Sequence, residues 1–154
     1  MPLQVNFNSS APASASAPDG TAAFPLGQAA VSPYPLGAVP VHNSSGNAAN
    51  AVASASVSPG SGDLTAYLTG FEITGSGATA ALPVTVTVVG VLGGTLSYTY
   101  VFVAGVTLAN TPLIVQFALP LKASSMNTTI TVSCPASGSG GTNNTVTAHG
   151  FKMP

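Results

Sequence analysis

Leu64-Thr65-Ala66-Tyr67-Leu68-Thr69-Gly70-Phe71-Glu72-Ile73-Thr74 decides the fold class. Leu64, Ala66 and Leu68 recur at every second position, the period of a strand with one buried face. After Gly70 the apolar residues Phe71 and Ile73 take the other parity. A single inserted residue causes such a change. The stretch therefore predicts one strand carrying a β-bulge at Gly70, the residue able to take a positive φ there.

The same alternation runs outward in both directions. Ala51, Ala53, Ala55 and Val57 alternate with Val52, Ser54, Ser56 and Ser58 upstream, before a turn at Pro59-Gly60-Ser61-Gly62. Downstream, Val84, Val86 and Val88 alternate with Thr85 and Thr87, and Leu96, Tyr98, Tyr100 and Phe102 with Ser97, Thr99, Val101 and Val103. Leu113, Val115 and Phe117 follow between Pro112 and Pro120, then Ile130, Val132 and Cys134, then Val146 and Ala148 before Gly150-Phe151. Gly75-Ser76-Gly77, Gly93-Gly94, Ala109-Asn110, Ala123 to Asn127 and Ser137 to Asn144 separate the runs. With no helical period, the pattern predicts an all-β fold, an antiparallel β-sandwich or jelly roll of about seven to eight strands.

The composition changes near residue 46. Seven of the 13 prolines fall within residues 1–46, a density that excludes regular helix and any central strand. Residues 1–46 are accordingly read as an extended N-terminal arm and 47–154 as the β domain. Phe24-Pro25-Leu26-Gly27 recurs ten residues on as Tyr34-Pro35-Leu36-Gly37. Phe24, Leu26, Tyr34 and Leu36 are thus candidate apolar anchors for a partner. Ordering 46 residues costs on the order of 50–90 kcal/mol of backbone entropy, which Ala, Ser and Pro side chains cannot offset alone. An ordered arm of this kind must lie on a surface, and extended it reaches up to roughly 150 Å.

Charge excludes several functions. The chain has 3 acidic and 2 basic side chains, 3% charged against about 25% in ordinary domains, and a mean hydropathy of +0.47. Two lysines make no phosphate-binding stripe, so no nucleic-acid partner is expected. Val84 to Val103 is broken by Thr, Ser, Tyr and Gly, and no membrane span is expected. The N-terminus lacks the basic and apolar regions of a signal peptide, Cys134 has no disulfide partner, and a reducing cytoplasm is expected. Four Asn-x-Ser/Thr triplets are read as chance in so Asn/Ser/Thr-rich a chain.

The titratable stock is small. Cys134 keeps the parity of Ile130 and Val132 and reads as a buried hydrophobe rather than a nucleophile for His149, which has no carboxylate near it in sequence. His42 and His149 without a Cys/Asp cluster make a poor metal site, and Asp63 and Glu72 are too few oxygens for calcium. Ser137-Gly138-Ser139-Gly140-Gly141-Thr142 lacks the lysine of a phosphate loop and reads as a hairpin loop. Tyr67, Tyr98 and Tyr100 are read as core and interface residues before a sugar platform. The expectation is no enzyme, no metal and no cofactor.

Tyr67-Leu68-Thr69-Gly70-Phe71-Glu72-Ile73-Thr74 with Gly75-Ser76-Gly77-Ala78-Thr79, Thr111-Pro112-Leu113-Ile114-Val115-Gln116-Phe117 and Ala148-His149-Gly150-Phe151 resemble virion proteins of tailed bacteriophages, in particular capsid decoration (cement) proteins. The resemblance covers about residues 48–154. It implies a structural protein on the outer capsid surface of the virion, made in the host cytoplasm. It would bridge subunits of the major capsid protein as a homo-oligomer, a trimer or else a dimer. The alternative is a head-fibre or tail-associated jelly-roll module that binds a host glycan.

Overall fold

The computed structural model describes residues 34–105 and 111–154. The described residues form eight strands and no helix: β1 (Val39–Ser44), β2 (Ala53–Val57), β3 (Thr65–Ser76), β4 (Leu82–Val89), β5 (Leu96–Phe102), β6 (Leu113–Lys122), β7 (Ile130–Cys134) and β8 (Asn143–Met153). Two four-stranded antiparallel sheets have the orders β1-β8-β3-β6 and β2-β7-β4-β5. The pairs β1–β8, β2–β7, β3–β6 and β4–β5 are those of one long hairpin whose arms pair from the ends inward. Rolling that hairpin up adds β3–β8 and β4–β7 and yields a jelly roll.

Period-two patterning builds the core as the sequence predicts. Ala53, Ala55 and Val57 on β2, Val84, Val86 and Val88 on β4, Ile130, Val132 and Cys134 on β7, and Val146 and Ala148 on β8 are buried. Phe71 and Phe102 are the largest fully buried side chains. The Phe71 ring meets Tyr98 edge to face at 5.3 Å, and Tyr100 meets Phe102 in the same way at 5.0 Å. Such pairs add about 0.5–1.5 kcal/mol beyond burial.

The bulge lies where the parity change places it. Leu68 pairs with Gly150 and Gly70 with His149, which leaves Thr69 as the extra residue. Gly70 is not in the left-handed region. Its requirement for glycine is proximity: a Cβ there would lie 2.6 Å from the Val115 carbonyl oxygen and 2.8 Å from Gln116 Oε1. On the opposite flank, Gly150 lets the Tyr67 carbonyl approach, since a Cβ at 150 would strike that oxygen.

Two readings are corrected. The segment assigned to the arm contributes β1, so the β domain begins before residue 47, and residues 34–154 form one compact unit. Proline density excludes a central strand, and β1 is an edge strand that tolerates Pro40. Pro120 does not end β6: pairing with β3 lapses after Gln116 and resumes at Leu121, so Phe117 to Pro120 bow away from the sheet. Residues 1–33 and the turn at Ala109-Asn110 lie outside the described residues.

Candidate functional site

The bulge determines what the outer face of the β1-β8-β3-β6 sheet displays. Before Thr69 the outward residue of β3 is Tyr67; after it the outward residues are Glu72 and Thr74. Without the extra residue Glu72 would share the parity of Ala66 and Leu68 and enter the core. With it, Glu72 lies outside, half-exposed, with Oε1 3.4 Å from His149 Nε2. The Thr69 hydroxyl donates to the His149 carbonyl at 3.0 Å, satisfying an acceptor at the irregular step.

His149 sits directly opposite His42 in the β1–β8 register. Their Nδ1 atoms are 3.1 Å apart, with ring centroids 5.3 Å apart at 66°. One nitrogen donates and the other accepts. A carboxylate beside Nε2 of His149 favours the ring hydrogen there and leaves Nδ1 of that ring as the acceptor. Glu72, His149 and His42 thus form a chain across three strands. Among the described residues, no hydroxyl or thiol is hydrogen-bonded to either ring.

One row along the same face, Pro40, Phe151, Tyr67 and Lys122 are aligned across all four strands. Tyr67 stacks on Phe151 at 4.9 Å, and Tyr34 meets Phe151 edge-on at 5.7 Å. These rings leave Phe151 buried although it is on the outer face of the sheet.

The outer face of the β2-β7-β4-β5 sheet is different. Ser54, Ser133, Thr87 and Ser97 form one row across its four strands. Ser54 and Ser133 hydroxyls are 2.8 Å apart, and Ser56 and Thr131 hydroxyls 2.9 Å. These two pairs satisfy one another laterally, and the face carries no charge.

The four candidate anchors divide. Phe24 and Leu26 lie outside the described residues. Tyr34 packs on Phe151 of its own chain. Leu36 occupies a turn closed by an Ala38 N–H to Pro35 carbonyl bond of 3.0 Å, with Gly37 at φ +82°, and is 102% exposed. Each of the four tyrosines meets another ring of the chain: Tyr34 and Tyr67 against Phe151, Tyr98 against Phe71, Tyr100 against Phe102. Burial raises the Tyr98 phenol above its ordinary range.

Cys134 is in the core, and burial raises its thiol to about 11, partly offset by a hydrogen bond from Asn144. Among the described residues, no group of three or more His, Cys, Asp or Glu is placed to hold a metal ion. A cavity of about 200 Å³ between Thr79–Leu82 and Ser137–Ser139 is lined by small, apolar and hydroxyl side chains with no titratable group. No helix among the described residues is long and apolar enough to cross a membrane.

The sequence offered no route to the Glu72–His149–His42 chain, because His42 and His149 are 107 residues apart. The available signal was the parity change at Gly70, which turns Glu72 outward once β3 is paired with β8. Comparison of the chain with protein-family models and with curated proteins finds no match.

Proposed function

We propose that the protein is a structural virion subunit, a capsid decoration (cement) protein that binds the outside of an icosahedral tailed-phage head and bridges major capsid protein subunits. The observation that carries this reading is the state of the sheet edges. β1, β2, β5 and β6 are the edge strands, and Lys122 is the only lysine, arginine, aspartate or glutamate on them. Edge strands are ordinarily guarded against pairing by charge. Here Ile114, Leu119, Val101 and Val39 are exposed on them instead. Such edges suit a subunit that functions packed against other protein, its own copies in a homo-oligomer and the shell beneath.

The neutral hydroxyl face and the exposed Leu36 fit the same reading. Attachment works by burial without chemistry. Each apolar Å² removed from water contributes about 25 cal/mol, less the cost of ordering, repeated over many copies on one shell. The jelly roll itself does not select this function, since it serves capsids and lectins alike. No enzymatic step and no cofactor are assigned.

The test is binding of purified protein to emptied shells of the phage that encodes it, across ionic strength. Affinity is expected to change less than about threefold between about 50 and 500 mM NaCl, because few charges are available to be screened. A steep loss with salt would overturn attachment by apolar burial.

A further inference from the structure

The geometry points to a transition-metal site on the outer face of the β1-β8-β3-β6 sheet, with His42 and His149 as the two protein ligands through Nδ1 and Glu72 as the residue that orients His149. It would take a divalent ion with affinity for imidazole, Zn²⁺, Ni²⁺ or Cu²⁺, in preference to Mg²⁺ or Ca²⁺, which prefer oxygen.

Three observations carry the inference. The first is spacing. Metal–imidazole bonds of about 2.0–2.1 Å place two neighbouring nitrogens about 2.9–3.4 Å apart in octahedral or tetrahedral geometry. His42 and His149 hold theirs at 3.1 Å. The second is the outer partner. A metal-ligating histidine usually gives its other N–H to a carboxylate, which fixes the ring and raises its basicity. Glu72 Oε1 already lies 3.4 Å from Nε2 of His149. The third is access: His42 is exposed, and the side chains of His149 and Glu72 are 25% and 44% exposed, so water can complete the coordination shell.

In the metal-free molecule the two Nδ1 atoms share one hydrogen. Binding requires both lone pairs to converge on an ion off the line that joins the two nitrogens, so both rings must turn out of their hydrogen-bonded arrangement. The His42 hydrogen moves to Nε2 through solvent, so the exchange releases no net proton. The +2 ion lies beside the Glu72 carboxylate, in a chain whose formal charge is −1. Two protein ligands make this a chelate of modest affinity. Its structural effect is specific: it joins edge strand β1 to β8, independently of what the sandwich attaches to.

The experiment uses the full, untagged chain, freed of metal with a chelator and titrated at pH 7.5 with each metal chloride by calorimetry and by thermal melting. Saturable binding of one Zn²⁺, Ni²⁺ or Cu²⁺ per chain is expected, with a rise in Tm, and none with Mg²⁺ or Ca²⁺. His42→Ala and His149→Ala should abolish both effects, while Glu72→Gln should weaken affinity about 10–100-fold. The Cu²⁺ complex of the unmutated protein should show two imidazole nitrogens by electron paramagnetic resonance, a readout independent of whether the variants fold. Absence of saturable binding, binding unchanged in folded His42→Ala, or a Cu²⁺ signal without two imidazole nitrogens would overturn the assignment.

Discussion

The Thr69 hydroxyl donates to the carbonyl of His149 at 3.0 Å, across the one irregular step of the β3–β8 ladder. That step turns Glu72 outward and Phe71 inward. It depends on Gly70, where a side chain would collide with backbone of β6 as well as the Gln116 side chain.

Gly70→Val is accordingly expected to destabilise the fold by about 1–3 kcal/mol through overpacking. Urea unfolding followed by circular dichroism measures this. A variant with an unchanged midpoint would mean that β6 yields freely at Val115, and that the glycine is not required.

Phe71 and Leu36 should respond in opposite ways. Phe71 is fully buried against Tyr98, and Phe71→Ala should cost about 3–5 kcal/mol. Leu36 is fully exposed, so Leu36→Ser should leave the melting temperature of the isolated protein unchanged while weakening attachment to the shell. Loss of attachment without loss of stability separates the contribution of Leu36 to attachment from any contribution to the fold.

The strand readings made from alternation hold for β2 to β5, β7 and β8, because each buries one parity against the opposite sheet. β1 was not legible for a physical reason. Five of the six residues Val39 to Ser44 are exposed, so nothing in their order is constrained by a core. The extension of β6 past Pro120 was hidden likewise, since Ala118, Leu119 and Pro120 bow outward. The site was less legible than the fold. Glu72 and the two histidines meet only through strand pairing, and pairing across so many residues leaves no local mark.

Truncation tests the revised boundary. Deleting residues 1–33 should leave a folded sandwich, because the eight strands begin at Val39. Deleting residues 1–46 removes β1 and the Tyr34 ring, exposing Phe151 and the β8 edge. Phe151 keeps its stacked Tyr67 ring, so uncovering its other side should cost a part of the about 1.5–3 kcal/mol that full exposure would. Equal melting of the two truncations would show that β1 adds nothing to the domain.

Cys134 provides a check on the core. Its thiol is raised by burial to about 11, so at pH 8 it should resist alkylation in the folded protein and react promptly once unfolded. The sign for stability follows. The unfolded thiol ionises first, so the contribution is complete below the ordinary thiol value and is lost as pH rises through about 11. Mass spectrometry after brief alkylation reads the first part; rapid labelling of the native protein would contradict the buried placement.

The most direct test of the proposed function is electron cryomicroscopy of phage particles produced with this protein present, with the jelly roll fitted into the density. Decoration predicts many symmetry-related copies on the outer surface of the head, seated over seams between major capsid protein subunits, with the edges β1, β2, β5 and β6, which carry Lys122 as their one charged side chain, covered by neighbouring protein. Density confined to the tail or to a few vertices, or a head surface without this fold, would contradict it.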